Sequence, residues 1–161
     1  MEGNSVAIAT FDLPTNLLAV ESEVIIQQLN EAPLDFLVAD YAIEYPFTYQ
    51  SDDQILLSPY MASPAHMTKS LLVGWIANFV SGYFQAPPST ANLGATHAWA
   101  EVYLPGAGWK GFDPTVGEIA GTDHFAVAVA RLPESVPPIA GSFVGSPGSS
   151  LDVGVWVTKW E

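Results

Sequence analysis

Residues 94–115 read GATHAWAEVYLPGAGWKGFDPT, and in the first half polar or aromatic residues alternate with small apolar ones. This alternation in Thr96–Leu104 places four large side chains on one face of an extended chain. They are His97, Trp99, Glu101 and Tyr103. Pro105–Gly108 has the composition of a tight turn, and Trp109–Asp113 follows as a returning strand. The segment therefore predicts a β-hairpin.

Two residues of this hairpin carry chemistry. His97 begins the first strand and Asp113 ends the second, 16 residues later, with the turn about midway between them. A hairpin centred on that turn brings both residues to the same end of adjacent strands, roughly 5 Å apart. A carboxylate beside an imidazole fixes the tautomer and stabilises the imidazolium, as in the base–orienter half of a catalytic triad. From spacing alone, a coincidence or a simple hydrogen-bonded pair is a more common reason for a His near an Asp than catalysis.

The same segment closely resembles the signature of bacterial transglutaminase-like proteins, which share the papain-like cysteine protease fold. In that family a His-Ala-Trp-x-Glu-Val-Tyr strand leads through Pro-Gly-x-Gly-Trp to a Phe-Asp-Pro-Thr strand end, and nearly every position matches here. The resemblance implies that His97 is the catalytic base and Asp113 its orienting carboxylate.

The resemblance extends outward from the hairpin. Asn78–Tyr83 (NFVSGY) is similar to the family strand before it, and Asp123–Arg131 to the strand after it. Pro137–Gly141 and Leu151–Thr158 resemble the final loop and strand. The first 60 residues resemble part of the small β domain that precedes the core in these bacterial proteins. The likeness therefore covers most of the chain.

This likeness implies a fold class and a division of the chain. We expect an α+β, β-rich fold, with the antiparallel sheet of a transglutaminase-like core, few helices and part of a small β domain in front. Residues 1–64 would form the partial N-terminal β region. Residues 65–161 would form the remnant of the core, shortened by loss of its helical front.

The match fails at the nucleophile. The family uses a Cys at the N-terminus of a core helix, where the helix dipole and the His lower the thiol pKa. This chain has no cysteine, and counting back from the Ser-Gly-Tyr strand places the expected thiol near Pro59 or Tyr60. The nearby hydroxyls of Ser58 and Ser63 are interpreted as turn or cap residues. We therefore expect little or no activity by the family route.

Elsewhere, pattern and turn chemistry predict further elements. Strands are expected at Ser5–Phe11, Leu17–Gln28, around Phe36–Val38, at Phe125–Arg131 and at Leu151–Trp160. Apolar residues at helical spacing predict one helix at Ala65–Phe79. Ser51–Asp53 and Pro59 are interpreted as punctuation between elements, and Gln85–Gly94 and Leu132–Ser150 as loops.

Composition excludes several classes of function. The chain has 161 residues, 17 acids and 4 bases, a formal net charge of −13, and ten acids precede the first basic residue. Such a chain repels phosphate, so we expect no nucleic-acid partner and no anionic membrane surface. No basic stretch precedes an apolar one at the N-terminus, and no apolar run reaches 18 residues. We therefore expect a cytoplasmic chain.

We predict neither a cofactor nor a metal site. His66, His97 and His124 have no pair at ligand spacing, and no thiol could support them. The role of His124, which matches a family His, is taken as structural. Glu101 is interpreted as a solvated or paired carboxylate.

The three aromatic residues of the hairpin have two interpretations. Trp99, Tyr103 and Trp109 could line the acyl-acceptor groove that the resemblance implies, or they could pack the core and the hairpin.

Three functions remain open at this stage. The first is a transglutaminase-like domain that is catalytically inactive and binds a protein or peptide. The second is a residual hydrolase in which His97 acts with a serine or a metal-bound water. The third is a self-associating module, because a core sheet without its helical layer would expose an apolar face.

Overall fold

The computed structural model describes residues 3–29, 36–44, 46–61, 77–85, 93–145, 148 and 150–158. The described part is α+β and β-rich, as expected, with one antiparallel sheet of six strands and one α-helix. The strands are β1 (Ala77–Gln85), β2 (Leu93–Leu104), β3 (Gly108–Asp113), β4 (Glu118–Ile119), β5 (His124–Ala130) and β6 (Val155–Trp156). The helix α1 spans Ser51–Met61, and short 3-10 turns occupy Asp40–Ala42 and Pro133–Ser135. Strand order is β4-β3-β2-β1-β5, and β6 pairs with the start of β2.

The predicted hairpin is confirmed. β2 and β3 pair antiparallel from Ala100 opposite Phe112 to Leu104 opposite Gly108. The turn is closed by the Ala107 amide, which donates to the Leu104 carbonyl at 2.9 Å. Gly106 has φ of 85°, and a Cβ there would stand 2.8 Å from a backbone nitrogen of the neighbouring segment. Only glycine fits this position without strain.

β1 is an interior strand of the sheet, between β2 and β5. The helix predicted at Ala65–Phe79 falls mostly on residues outside the described part, but its last three residues were predicted wrongly, because they begin β1. Phe79 pairs with both Ala100 of β2 and Ala130 of β5. Pairing on both sides satisfies the backbone of this segment, so tertiary context overrides the local helical spacing of its apolar residues.

The N-terminal strand predictions are wrong. Ser5–Phe11, Leu17–Gln28 and the segment around Phe36–Val38 form no strand in the structure. Every Val, Ile, Leu and Phe of residues 3–29 is more than half exposed, and Ile8 reaches 90%. β-branched composition favours a strand only where a partner strand supplies hydrogen bonds and packing, and none does so here among the described residues.

Helix α1 begins at a position where the sequence predicted only a break between elements. Two acidic residues, Asp52 and Asp53, lie in its first turn, where they favour a helix start through the helix dipole. Pro59 is tolerated close to the C-terminal end. Leu57 is fully buried, and the Asp53 carboxylate accepts hydrogen bonds from the hydroxyls of Tyr41 and Tyr103. These contacts fix the helix to β2.

The remaining predicted strands are confirmed in different degrees. The strand predicted at Phe125–Arg131 is β5, which begins at His124. Of the strand predicted at Leu151–Trp160, only Val155–Trp156 pairs in the described part, against Leu93 and Gly94. The division at residue 64 stays a prediction. Among the described residues no helix has the length and apolar character needed to cross a bilayer.

Candidate functional site

The hairpin brings the two predicted site residues together. His97 lies on β2, and Asp113 ends β3 directly after Phe112, which pairs with Ala100 of β2. The Nε2 atom of His97 is hydrogen-bonded to Oδ2 of Asp113. The two side chains are therefore as close as their spacing in the hairpin predicts, while their catalytic roles stay predictions.

Asp113 is the most buried charged group of the site, with 1% of its surface exposed. Its other carboxylate oxygen, Oδ1, accepts the backbone amide of Thr115 at 2.8 Å and, more weakly, that of Val116 at 3.4 Å. The Asp-Pro-Thr segment forms this local turn because an Asp side chain readily accepts amides two and three residues ahead. The carboxylate is therefore held from its own chain as well as from His97.

A third residue completes the site. His124, the first residue of β5, places its Nε2 atom 3.0 Å from Oδ2 of Asp113. Sequence reasoning had given His124 a structural role, and its position two strands away from β2 carries no periodic signal. We call His97, Asp113 and His124 the His–Asp–His cluster. The third histidine, His66, lies outside the described residues.

The cluster rests on Trp99. This side chain is 4% exposed, and its ring centroid lies 5.2 Å from that of His124 and 6.5 Å from that of His97. The indole lies close to two glycines of the neighbouring strands. A Cβ at Gly82 would approach Trp99 to 2.8 Å and the Phe125 carbonyl to 2.2 Å, and one at Gly111 would stand 3.2 Å from the indole nitrogen. Trp99 therefore packs in the core and supports both imidazoles.

The hydrogen bonds decide the charge of Asp113. Burial alone would raise the pKa of this carboxyl, but hydrogen bonds from His124, His97 and the Thr115 amide outweigh it and hold the pKa well below its usual range. Asp113 is accordingly ionised at neutral pH and acts only as an acceptor.

A shallow cavity of about 200 Å³ adjoins the cluster. Its lining includes Gln28, Trp99, Glu101, Trp109 and His124. Burial raises the pKa of Glu101, and this carboxylate has no hydrogen-bond or ion-pair partner among the described residues. Glu101 is therefore a half-buried acid at the wall of the cavity, which differs from the solvated or paired carboxylate expected.

The other two aromatic residues of the hairpin differ in their surroundings. Trp109 lines the cavity and packs edge-on against Tyr60 and Tyr103, with ring centroids 5.3 and 5.5 Å away. Tyr103 donates its hydroxyl to Asp53 of α1 at 2.9 Å. Tyr103 therefore serves packing, whereas Trp109 both packs and reaches the cavity.

The donor set of the cluster is one that a transition metal accepts. One ligand atom from each of His97, Asp113 and His124 lies within 4.8 Å of the others. The Nδ1 atom of His124, however, accepts the Gly121 amide at 3.3 Å, so its proton stands on Nε2, the atom that would face an ion. These contacts describe a hydrogen-bond network and not a set of metal ligands.

In the region expected to carry the nucleophile, the described hydroxyls of Ser58 and Tyr60 lie on α1. Ser58 donates its hydroxyl to the Ile55 carbonyl within α1, which agrees with a helix-surface role. Tyr60 packs against Trp109. Ser63 lies outside the described residues.

Comparison with known proteins leaves the family open. Neither a protein-family model nor a solved structure matches the chain. The sequence is 32% identical over 102 residues to an uncharacterized protein of Mycobacterium leprae (strain TN), in an alignment that covers 59% of this chain. The same alignment covers 36% of the relative, so the chain spans about a third of the length of the curated relative that it matches.

Proposed function

We propose that this chain is a transglutaminase-like domain that keeps the base and the orienting carboxylate of a catalytic triad, has lost the thiol, and acts as a non-catalytic binding module. One observation carries the proposal. His97 and Asp113 are hydrogen-bonded across adjacent strands, in a segment that closely resembles the family signature, and the chain contains no cysteine.

The chemistry explains why the loss of one residue is decisive. An imidazole oriented by a carboxylate can remove a proton from a thiol, but it forms no acyl-enzyme without that thiol. Removal of one member of a triad typically lowers turnover by about 10⁴ to 10⁶. Ser58, the described serine nearest the expected position along the chain, donates its hydroxyl to a carbonyl of its own helix.

The surface supports binding. The cavity beside the cluster offers two indoles, the carboxylate of Glu101 and the carboxamide of Gln28, a mixture of apolar and polar groups that suits an amphipathic peptide segment. The net charge of −13 disfavours polyanionic partners.

Self-association is a second candidate, favoured by a specific observation. The N-terminal segment, residues 3–29, exposes all of its large aliphatic and aromatic side chains. Exposed apolar surface of this extent marks an interaction site or an association surface.

An activity assay tests the proposal. The purified chain and its His97→Ala variant are incubated with a glutamine peptide and a primary amine, and ammonia release is followed. We expect neither protein to exceed the buffer rate, because no thiolate is present to attack the amide.

The matched control is Asp152→Asn, which removes an exposed carboxylate outside the site. Ammonia release by the wild-type chain and by this control, lost in His97→Ala, would overturn the proposal. A loss of that release on chelation would then identify a metal-bound water as the nucleophile, and insensitivity to chelators would favour a serine.

A further inference from the structure

Asp113 receives more hydrogen bonds than a base–orienter pair requires. Oδ1 is occupied by the amides of Thr115 and Val116, and Oδ2 is shared by two imidazoles, those of His97 and His124. A pair would need only the first imidazole. The second calls for an explanation, since its ring is almost fully buried.

We propose that His124 is a positioning residue of this site: its Nε2–H holds the Asp113 carboxylate in place, so that His97 is bound through Nε2 and presents Nδ1 as its free nitrogen. The inference deepens the proposed function and rests on it only through the His97–Asp113 pair. In this arrangement His124 does not touch the free nitrogen of His97 but orients that ring through the Asp113 carboxylate.

The first step is the tautomer of His124. The Gly121 amide donates to Nδ1 of this ring at 3.3 Å, and the Gly121 carbonyl accepts the His124 amide at 3.0 Å. A nitrogen that accepts an N–H carries no proton in the neutral ring, so the proton lies on Nε2. His124 is therefore a donor to Asp113.

The second step is the rigidity of that donor. The rings of Phe84 and Trp99 lie 4.9 and 5.2 Å from the His124 ring, and the turn at Gly121 holds both its backbone and its side chain. Gln28 adds a hydrogen bond to the Gly121 carbonyl at 3.1 Å. A donor held on several sides fixes its acceptor, as supporting residues do in preorganised sites.

The third step is the consequence for His97. An ionised carboxylate offers no proton, so the Nε2 atom of His97 must donate to it. The side chain of His97 is 15% exposed, and its Nδ1 atom makes no hydrogen bond with any described residue. The cluster thus leaves the Nδ1 atom of His97 unprotonated and free to accept a hydrogen bond.

Ring-nitrogen NMR of the full chain tests this arrangement without any activity. Long-range ¹H–¹⁵N spectra report which nitrogen of each imidazole carries a proton. In the wild-type chain we expect both His97 and His124 in the Nε2–H form. An Nδ1–H form of His124 would overturn the proposal, because that ring could no longer donate to Asp113.

Two substitutions separate positioning from packing. His124→Phe keeps an aromatic ring but removes the donor, and we expect His97 to become a mixture of both tautomers. His124→Gln retains an N–H donor and should restore the single Nε2–H form. A folded His124→Phe variant with His97 unchanged would show that His124 only fills space.

The same spectra recorded with Zn²⁺ alone test the competing interpretation. Coordination through Nε2 would move the protons of both rings to Nδ1, and that result would overturn the proposal. Unchanged spectra would support the hydrogen-bond network. If His124→Phe does not fold, the tautomers of the wild-type chain and the Zn²⁺ titration still test whether His124 donates to Asp113. Activity in the ammonia assay would contradict the proposed function and leave the tautomer result standing.

Discussion

Two regions of this molecule read alike in sequence and differ in structure. The hairpin of β2 and β3 and the N-terminal segment both contain runs typical of strands. The hairpin forms the centre of a sheet, with Trp99 buried and both strands paired. The N-terminal segment forms no strand and exposes its apolar side chains.

The difference is one of partners. Each residue of β2 from Gly94 to Val102 pairs with a residue of β1. On its other side β2 pairs with β3, which follows after a turn of only three residues. The N-terminal segment meets the sheet through the side chains of Asn4, bonded to both backbone groups of Val129, and of Gln28, bonded to the Gly121 carbonyl. Side-chain tethers at two points do not replace a ladder of backbone hydrogen bonds.

The largest expected effect breaks the hairpin side of this comparison. Trp99→Ala removes a buried indole from between two glycines, and large-to-small changes of this kind cost about 3–5 kcal/mol. Trp156→Ala is the matched control, because this indole is 74% exposed and should cost less than about 0.5 kcal/mol. Urea unfolding followed by circular dichroism measures both. Equal losses of unfolding free energy in the two variants would show that the burial of Trp99 under the cluster adds no particular stability.

A smaller effect depends on pH. Asp113→Asn replaces an ionised acceptor of two imidazoles and two amides, and we expect it to lower the free energy of unfolding at pH 7 by roughly 1–3 kcal/mol. The pKa of Asp113 is depressed on folding, so its contribution is complete above the unfolded value near 3.9 and fades as the pH falls below it. The gap between wild type and variant should therefore narrow from pH 7 to pH 3.

The control for this pH dependence is Asp152→Asn, which changes an exposed carboxylate. Its unfolding free energy should follow the wild-type curve at both pH values. A gap between wild type and Asp113→Asn that stays constant from pH 7 to pH 3 would mean that the charge of Asp113 does not stabilise the fold.

The smallest effect on stability lies in the N-terminal segment. Ile8→Ser removes a side chain that is 90% exposed, and it should change the free energy of unfolding by less than about 0.5 kcal/mol. If this segment mediates self-association, the same substitution should weaken association in a sedimentation-velocity concentration series. A large loss of stability in the monomer would show instead that Ile8 is packed in solution.

Prediction from sequence succeeded where the partner of a strand was next to it in the chain. The turn between β2 and β3 set both the hairpin and the contact of His97 with Asp113. It failed for α1, because Pro59 and the acidic start suggested a break although Leu57 anchors the helix in the core. It failed also at the end of the predicted helix, where pairing with β5 decides the conformation of Phe79.

The sequence by itself determined the hairpin, the pairing of His97 with Asp113 and the absence of cysteine, since each depends on residue identity or on spacing across a single turn. Only the tertiary structure decided that His124 joins Asp113, because β5 begins after another turn and strand and reaches the cluster across β1 and β2. It also decided which β-rich segments became strands. A strand is stabilised by its neighbours, and the neighbours are chosen by the fold as a whole.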